Sequence, residues 1–203
     1  MWYPIKSPFW LRWLYPRLIW HYSRDLSYLY LTFDDGPIPD VTPEILNILK
    51  EYDIKATFFC VGDNVRKHPD IFQRILDEGH RIGNHTYNHL KGWKTSYEEY
   101  IKNVESCNQL VKADLFRPPY GRGTRKQYRE LEKLYKIIMW DVMSGDFDLA
   151  ISPEQCLRNV TRNIENGSII VFHDNLKAKK RVLYALPRTI EYGLARGYTF
   201  KTL

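Results

Sequence analysis

LYLTFDDGPIPDVTPEILNILKEY, residues 29–52, reads as one strand–turn–helix unit. Residues 29–33 are a short apolar and aromatic run, the pattern of a buried strand. Gly36-Pro37 forces a turn. Thr42-Pro43 supplies an N-cap followed by proline at the first helical position, and Ile45, Leu46, Ile48 and Leu49 lay an apolar stripe along a helix running to Tyr52. A strand followed by an amphipathic helix is half of a parallel βαβ unit, in which right-handed crossovers return the chain to the same sheet.

The alternation continues outward from this unit. Strands are expected over 29–33, 56–61, 81–84, 115–117, 136–141, 168–173 and 198–201. Helices are expected over 42–52, 68–78, 96–112, 152–166 and 177–195, the fourth opening on Ser152-Pro153 and stopping at Gly167. Seven parallel strands with helices outside predict an α/β fold of the distorted (β/α) barrel type. Chemistry then belongs at the C-terminal ends of the strands.

Composition narrows the classes. With 203 residues, 44% hydrophobic and 27% charged, the chain suits one globular domain with a full core and a pocket. Residues 29–203 carry the barrel pattern, and residues 1–28 form an aromatic and basic segment ahead of it. The net charge of +6 comes from 30 basic residues scattered among 24 acidic ones, so a solvated basic surface is read and no nucleic-acid partner is expected. Cys60, Cys107 and Cys156 are odd in number and far apart, which excludes a zinc knuckle and argues against a disulfide framework.

The first 22 residues hold four of the six tryptophans, Trp2, Trp10, Trp13 and Trp20, interrupted by Lys6, Arg12 and Arg17. Nothing there approaches the ~20 apolar residues of a membrane span, and no cleavable export signal is evident. Two readings stay open. The segment lies in a membrane interface as a peripheral anchor, or Trp10, Trp13 and Leu14, at helical spacing, plug the end of the barrel or flank its core. The expected location is the cytoplasm or the cytoplasmic membrane surface.

Five clusters of reactive residues fall at expected strand ends. Asp34 and Asp35 are adjacent carboxylates whose side chains diverge, so one can bind a metal while the other faces substrate; a plain surface turn is the alternative. His85 and His89, four apart, share one face of a helical turn and can reach one ion. With Asp35 they form a two-histidine, one-carboxylate set that leaves room for water, as a catalytic centre requires. Arg117-Pro118-Pro119-Tyr120-Gly121 is a stiff turn that exposes backbone N–H groups to an oxyanion and brings Arg117 towards Asp34, or else a rigid surface loop. Asp141, Asp146, His173 and Asp174 are expected on the same barrel face. His173 suits general-acid work beside a carboxylate.

Thr32-Phe33-Asp34-Asp35-Gly36, His85-Thr86-x-x-His89, Arg117-Pro118-Pro119-Tyr120-Gly121, Asp146-Phe147 and Val171-Phe172-His173-Asp174 occur in an order that resembles the polysaccharide deacetylase family, also called carbohydrate esterase family 4 or the NodB-homology domain. The resemblance runs from about Leu29 to the C-terminus. It implies Asp34 as general base, with Asp35, His85 and His89 as ligands of a divalent metal, commonly Zn2+. It implies Arg117 as the positioner of the base, Tyr120 as an oxyanion donor through its backbone N–H, His173 as general acid and Asp146 as the carboxylate that tunes it. Pro119, Phe147 and Val171 then line the acyl pocket, Phe147 standing where many members have tryptophan and Val171 where leucine is frequent. The implied reaction is hydrolysis of the N-acetyl amide of an amino sugar in a polysaccharide, a peptidoglycan-type glycan or a glycolipid precursor, with release of acetate. The alternatives are a deformylase or other amide hydrolase on a non-polymeric substrate, and a non-catalytic carbohydrate-binding module.

Overall fold

The computed structural model describes residues 3–203, so Trp2 lies outside it. Seven strands make a curled, all-parallel sheet: β1 (Tyr28–Asp34), β2 (Thr57–Cys60), β3 (Arg81–Asn84), β4 (Leu115–Phe116), β5 (Lys136–Ile137), β6 (Val142–Met143) and β7 (Ile169–His173). Their spatial order is β5-β4-β3-β2-β1-β7-β6, and β8 (Thr199–Phe200) pairs with the start of β1. The helices are α1 (Phe9–Leu14), α2 (Thr42–Glu51), α3 (Gly62–Lys67), α4 (Pro69–Asp77), α5 (Tyr97–Val111), α6 (Arg125–Leu131), α7 (Pro153–Thr161) and α8 (Lys179–Ala195).

Alternation along the central strands divides the core in two. Leu29, Leu31 and Phe33 of β1 join Phe58, Ile170 and Phe172 on the outer face, where Ile45, Leu46 and Leu49 of α2 and Val182, Leu186 and Ile190 of α8 cover them. Phe59, Leu115, Ile138, Ile169 and Leu203 fill the inside of the curl. The register sets Asp34 opposite both Phe59 and His173, and Asn84 opposite Phe116, so the reactive strand ends arrive at one rim.

Of the strand expected over 136–141 only Lys136–Ile137 is extended strand (β5), and the chain re-enters the sheet just beyond that span as β6, across a seam. The cause is Arg117, whose guanidinium takes the carbonyls of Ile138 and Met139 at 3.3 and 2.9 Å and so draws them off the ladder. Asp141 therefore does not join the reactive rim. It lies before β6, with its N–H on the carbonyl of Ile169 at the opposite end of β7, and its carboxylate takes Lys6, Arg24 and Ser168.

Residues from the N-terminal segment occupy the seam. The Ile19 N–H donates to Ile137 at 2.9 Å and the Met139 N–H donates to Ile19 at 2.7 Å, while the amides of Met143 and Ser7 donate to Ile5 and Asp141. Leu18 and Trp20 are buried against Tyr128, Leu131, Tyr135 and Met139. The residues expected to plug the barrel do not do so: Trp10, Trp13 and Leu14 are 51%, 83% and 43% exposed. No helix among the described residues is long and apolar enough to cross a membrane.

Three helices, α1, α3 and α6, lie outside the spans expected to be helical. Of these, α6 carried a legible signal, a capping box in which Thr124 and Gln127 bond each other's backbone. Thr42 is not the cap of α2, which starts from Val41 without a side-chain cap. Its hydroxyl oxygen instead accepts from the Ile38 N–H at 2.8 Å, and its proton goes to Asp174.

Candidate metal and catalytic site

β1 delivers Asp34 and Asp35 to the rim, and the turn after it is clamped from behind. The Gly36 N–H donates to Asp174 at 2.7 Å, and the Thr42 hydroxyl donates to the other oxygen of the same carboxylate at 2.6 Å. A Cβ on Gly36 would sit 1.8 Å from Asp174, so only glycine fits. Burial pushes Asp174 up to about 7 against the hydrogen bonds from Thr42 and Gly36. Asp174 thus shapes the turn and does not approach His173 in the role of a partner.

Asp34 is 4% exposed and accepts from Arg117 Nη1 at 2.6 Å. Arg117 is wholly buried, lies over the ring of Phe59 at 4.1 Å, and also donates to Thr32 Oγ1 at 2.8 Å. Burial lowers the guanidinium pKa, and the Asp34 charge opposes that shift. Every polar nitrogen of Arg117 has a partner, which holds Asp34 in one orientation.

Beside this pair, ligand atoms of Asp35, His85 and His89 lie within 4.8 Å of one another. Asp35 Oδ1 is 3.1 Å from His89 Nε2 and 3.6 Å from His85 Nε2. The His85 Nδ1 sits 2.8 Å from the carbonyl of Arg117, an acceptor only, so Nδ1 carries the proton and Nε2 is left with a lone pair towards the cluster. Burial brings His85 down to about 4, so its ring is neutral near pH 7. Burial alone would raise the Asp35 carboxyl; the His89 imidazole 3.1 Å from Oδ1, and then His173, hold it well below the usual carboxylate range. Two imidazoles and one ionised carboxylate fit a divalent metal. Asp35 Oδ1 is buried with no hydrogen-bond partner, and both Asp35 (φ 91°) and His89 (φ 57°) occupy the left-handed region, so strain and an unsatisfied acceptor coincide on the ligands.

On the other side His173 Nδ1 lies 2.7 Å from Asp146 Oδ1, and the His173 N–H donates to Asp146 Oδ2 at 2.6 Å. Burial alone would lower the imidazole pKa. The Asp146 carboxylate, by charge and hydrogen bond, and then Asp35 and Asp34 reverse this and lift it to about 9. Arg181 in turn donates to the Asp146 carbonyl at 2.6 Å. Phe147 meets the His173 ring edge-on at 5.1 Å, and Val171 shares the strand face of His173 two residues below it. Pro119 is buried, and the Tyr120 ring stands 4.7 Å from His89. Tyr120 has φ 59°, and Gly121 after it has φ 64° with Trp140 so close that a Cβ would meet it at 2.3 Å. The structure therefore brings Asp35, His85 and His89 together with the Asp34–Arg117 and His173–Asp146 pairs at one rim, with the Tyr120 ring against His89 and Phe147 against His173, while Pro119 and Val171 are buried beside them in the chain.

Sequence reasoning missed several supporting residues. Asn175 donates from its side-chain amide to Asp35 Oδ2 at 2.6 Å, and Asn64 donates to the Asp35 carbonyl at 2.8 Å. The Tyr3 ring packs at a tilt against Phe147, centroids 5.0 Å apart, so the N-terminal segment reaches that residue. Asn175 occupies one carboxylate oxygen and leaves Oδ1 to the histidine side. Asn175→Ala is expected to weaken divalent-metal affinity by roughly 10–100-fold, the usual effect of removing a residue that orients a ligand. Competition titration against a chromophoric chelator measures this, and wild-type affinity in the variant would remove Asn175 from the site.

The model of the polysaccharide deacetylase family matches residues 22–136. A peptidoglycan-N-acetylglucosamine deacetylase of Bacillus cereus is 31% identical over 192 residues, covering 91% of this chain and 90% of that protein. A second Bacillus cereus protein of that name is 41% identical over 150 residues, but the chain spans only 54% of its length. Among solved structures, the Bc1960 peptidoglycan N-acetylglucosamine deacetylase superposes with a TM-score of 0.87 at 33% identity, covering 97% of this chain and 95% of that one.

Proposed function

Because the chain belongs to the polysaccharide deacetylase family, we propose that it hydrolyses the N-acetyl amide of an amino sugar within a polysaccharide or peptidoglycan-type glycan, releasing acetate. The observation that carries this reading is the Asp35–His85–His89 cluster flanked by Asp34–Arg117 on one side and His173–Asp146 on the other. The peptidoglycan-N-acetylglucosamine deacetylase activity named for the two Bacillus cereus relatives supports an N-acetylglucosamine polymer as the substrate class.

A divalent metal held by Asp35, His85 and His89, zinc being favoured by that donor set, would lower the pKa of a water and polarise the amide carbonyl. Asp34, fixed by Arg117, accepts the proton of the attacking water. The backbone N–H of Tyr120 receives the charge that develops on the carbonyl oxygen. His173, kept protonated by Asp146, delivers its proton to the departing nitrogen, so the amine leaves neutral. Pro119, Phe147 and Val171 present an apolar wall to the acyl methyl and exclude water from it.

Acetate release from N-acetylglucosamine oligomers and from peptidoglycan, by chelator-stripped protein with and without added zinc, tests the proposal. Acetate only in the zinc arm is the expected result. Its absence from every substrate in that arm would overturn the reading, and formate released from an N-formyl sugar in place of acetate would reassign the acyl group.

A further inference from the structure

We propose that α1 is a lipid-interface anchor, in which Phe9, Trp10, Trp13 and Leu14 seat at the headgroup level of an anionic phospholipid bilayer. These four side chains are 80%, 51%, 83% and 43% exposed, the largest cluster of uncovered apolar groups close together in the described sequence. They are presented rigidly. The backbone on one side of α1 is bonded to the seam through Ser7, and on the other through Ile19, so the helix does not fold back to bury its aromatics. Leu11 and Tyr15 face inward onto the α6 side of the core, which leaves the other four pointing away from it.

Charge selects the partner. Residues 3–24 contain Lys6, Arg12, Arg17 and Arg24 and no acidic residue. Lys6, Arg12 and Arg24 crowd around the buried carboxylate of Asp141, with Glu165 the only other acid paired with them among the described residues, so three cations meet two carboxylates at the foot of the helix. Arg17, three residues past the helix, is 78% exposed and shares a shallow groove with Arg129, Lys133 and Lys136 against Glu132. Tryptophan and phenylalanine beside arginine and lysine form the composition that lies in a membrane interface, and anionic headgroups supply the counter-charge. A second copy of the chain is the poorer fit. A six-residue helix offering four side chains falls far short of the roughly 20–30 residues a side of a stable protein interface.

The full chain is mixed with phosphatidylcholine vesicles, with and without phosphatidylglycerol, and sedimented at low and high salt. Wild-type protein is expected to partition on the order of tenfold more strongly to the phosphatidylglycerol vesicles, with the excess lost at high salt. Phe9→Ser/Trp10→Ser/Trp13→Ser is expected to abolish binding while its thermal transition stays in place, since none of the three is buried. Arg17→Glu is expected to reduce binding to the anionic vesicles alone. Failure of the wild type to sediment with anionic vesicles, or equal partitioning of the triple variant, would overturn the proposal. So would a wild-type dimer in solution that the triple variant converts to monomer, because the patch would then be covered by a second copy.

Discussion

Asp34→Asn is expected to lower kcat by roughly 10²–10⁴-fold, the contribution of a positioned general base, while the protein binds as much divalent metal as the wild type. The amide oxygen of asparagine still accepts from Arg117 Nη1, so the 2.6 Å contact has a replacement and the local shape persists. What the amide lacks is a lone pair basic enough to hold the proton of the attacking water. The metal-facing atoms belong to Asp35, His85 and His89 and are untouched. Acetate release per folded molecule, with metal content measured on the same sample, separates the outcomes. Turnover close to wild type would remove Asp34 from proton transfer, and loss of metal together with turnover would make it a ligand.

Arg117→Met is expected to cost about 3–5 kcal/mol of folding stability, the usual effect of breaking a buried ion pair from one side. The guanidinium serves four acceptors: Asp34, Thr32 and the carbonyls of Ile138 and Met139. Methionine fills a similar volume over Phe59 but leaves the Asp34 carboxylate, 4% exposed, without its counter-charge. Urea denaturation of Arg117→Met and of Asp34→Asn/Arg117→Met gives the decisive comparison. The double variant should recover part of the loss, because no lone charge is left behind. A single variant as stable as the wild type would mean that Arg117 acts on orientation alone.

The reactive rim was legible because each of its motifs stands where an apolar strand run stops, and the parallel topology sends all such ends to one side. Asp34, His85, Arg117 and His173 could be placed together without knowing a single contact. Asn175 could not, since an asparagine after His-Asp carries the same local signal as any turn, and its bond to Asp35 depends on how β1 and β7 are registered. The continuous run 136–141 looked like one strand because nothing local marks two of its carbonyls as acceptors for an arginine 21 and 22 residues earlier. Thr42 misled for a similar reason: its oxygen accepts from the Ile38 N–H of the preceding turn in place of a helix amide, and its proton goes to the buried Asp174. In the N-terminal segment, helical spacing of Trp10 and Trp13 suggested burial. The residues that close the sheet, Ile5 and Ile19, do so through backbone bonds that leave no periodicity in the side chains.

That closure also dictates an order of events during synthesis. Ile19 leaves the ribosome more than a hundred residues ahead of Ile137, and Ile5 further still ahead of Met143, yet neither has a docking place until those residues emerge. At ~5–20 residues per second the interval is on the order of ten seconds. The strands from β1 to β4 can associate during that time, whereas the seam, with its long sequence separation, is set among the last long-range contacts. Trp20 and the residues around it therefore wait uncovered, and a nascent chain at that stage is the form of this protein most exposed to chaperones and proteases.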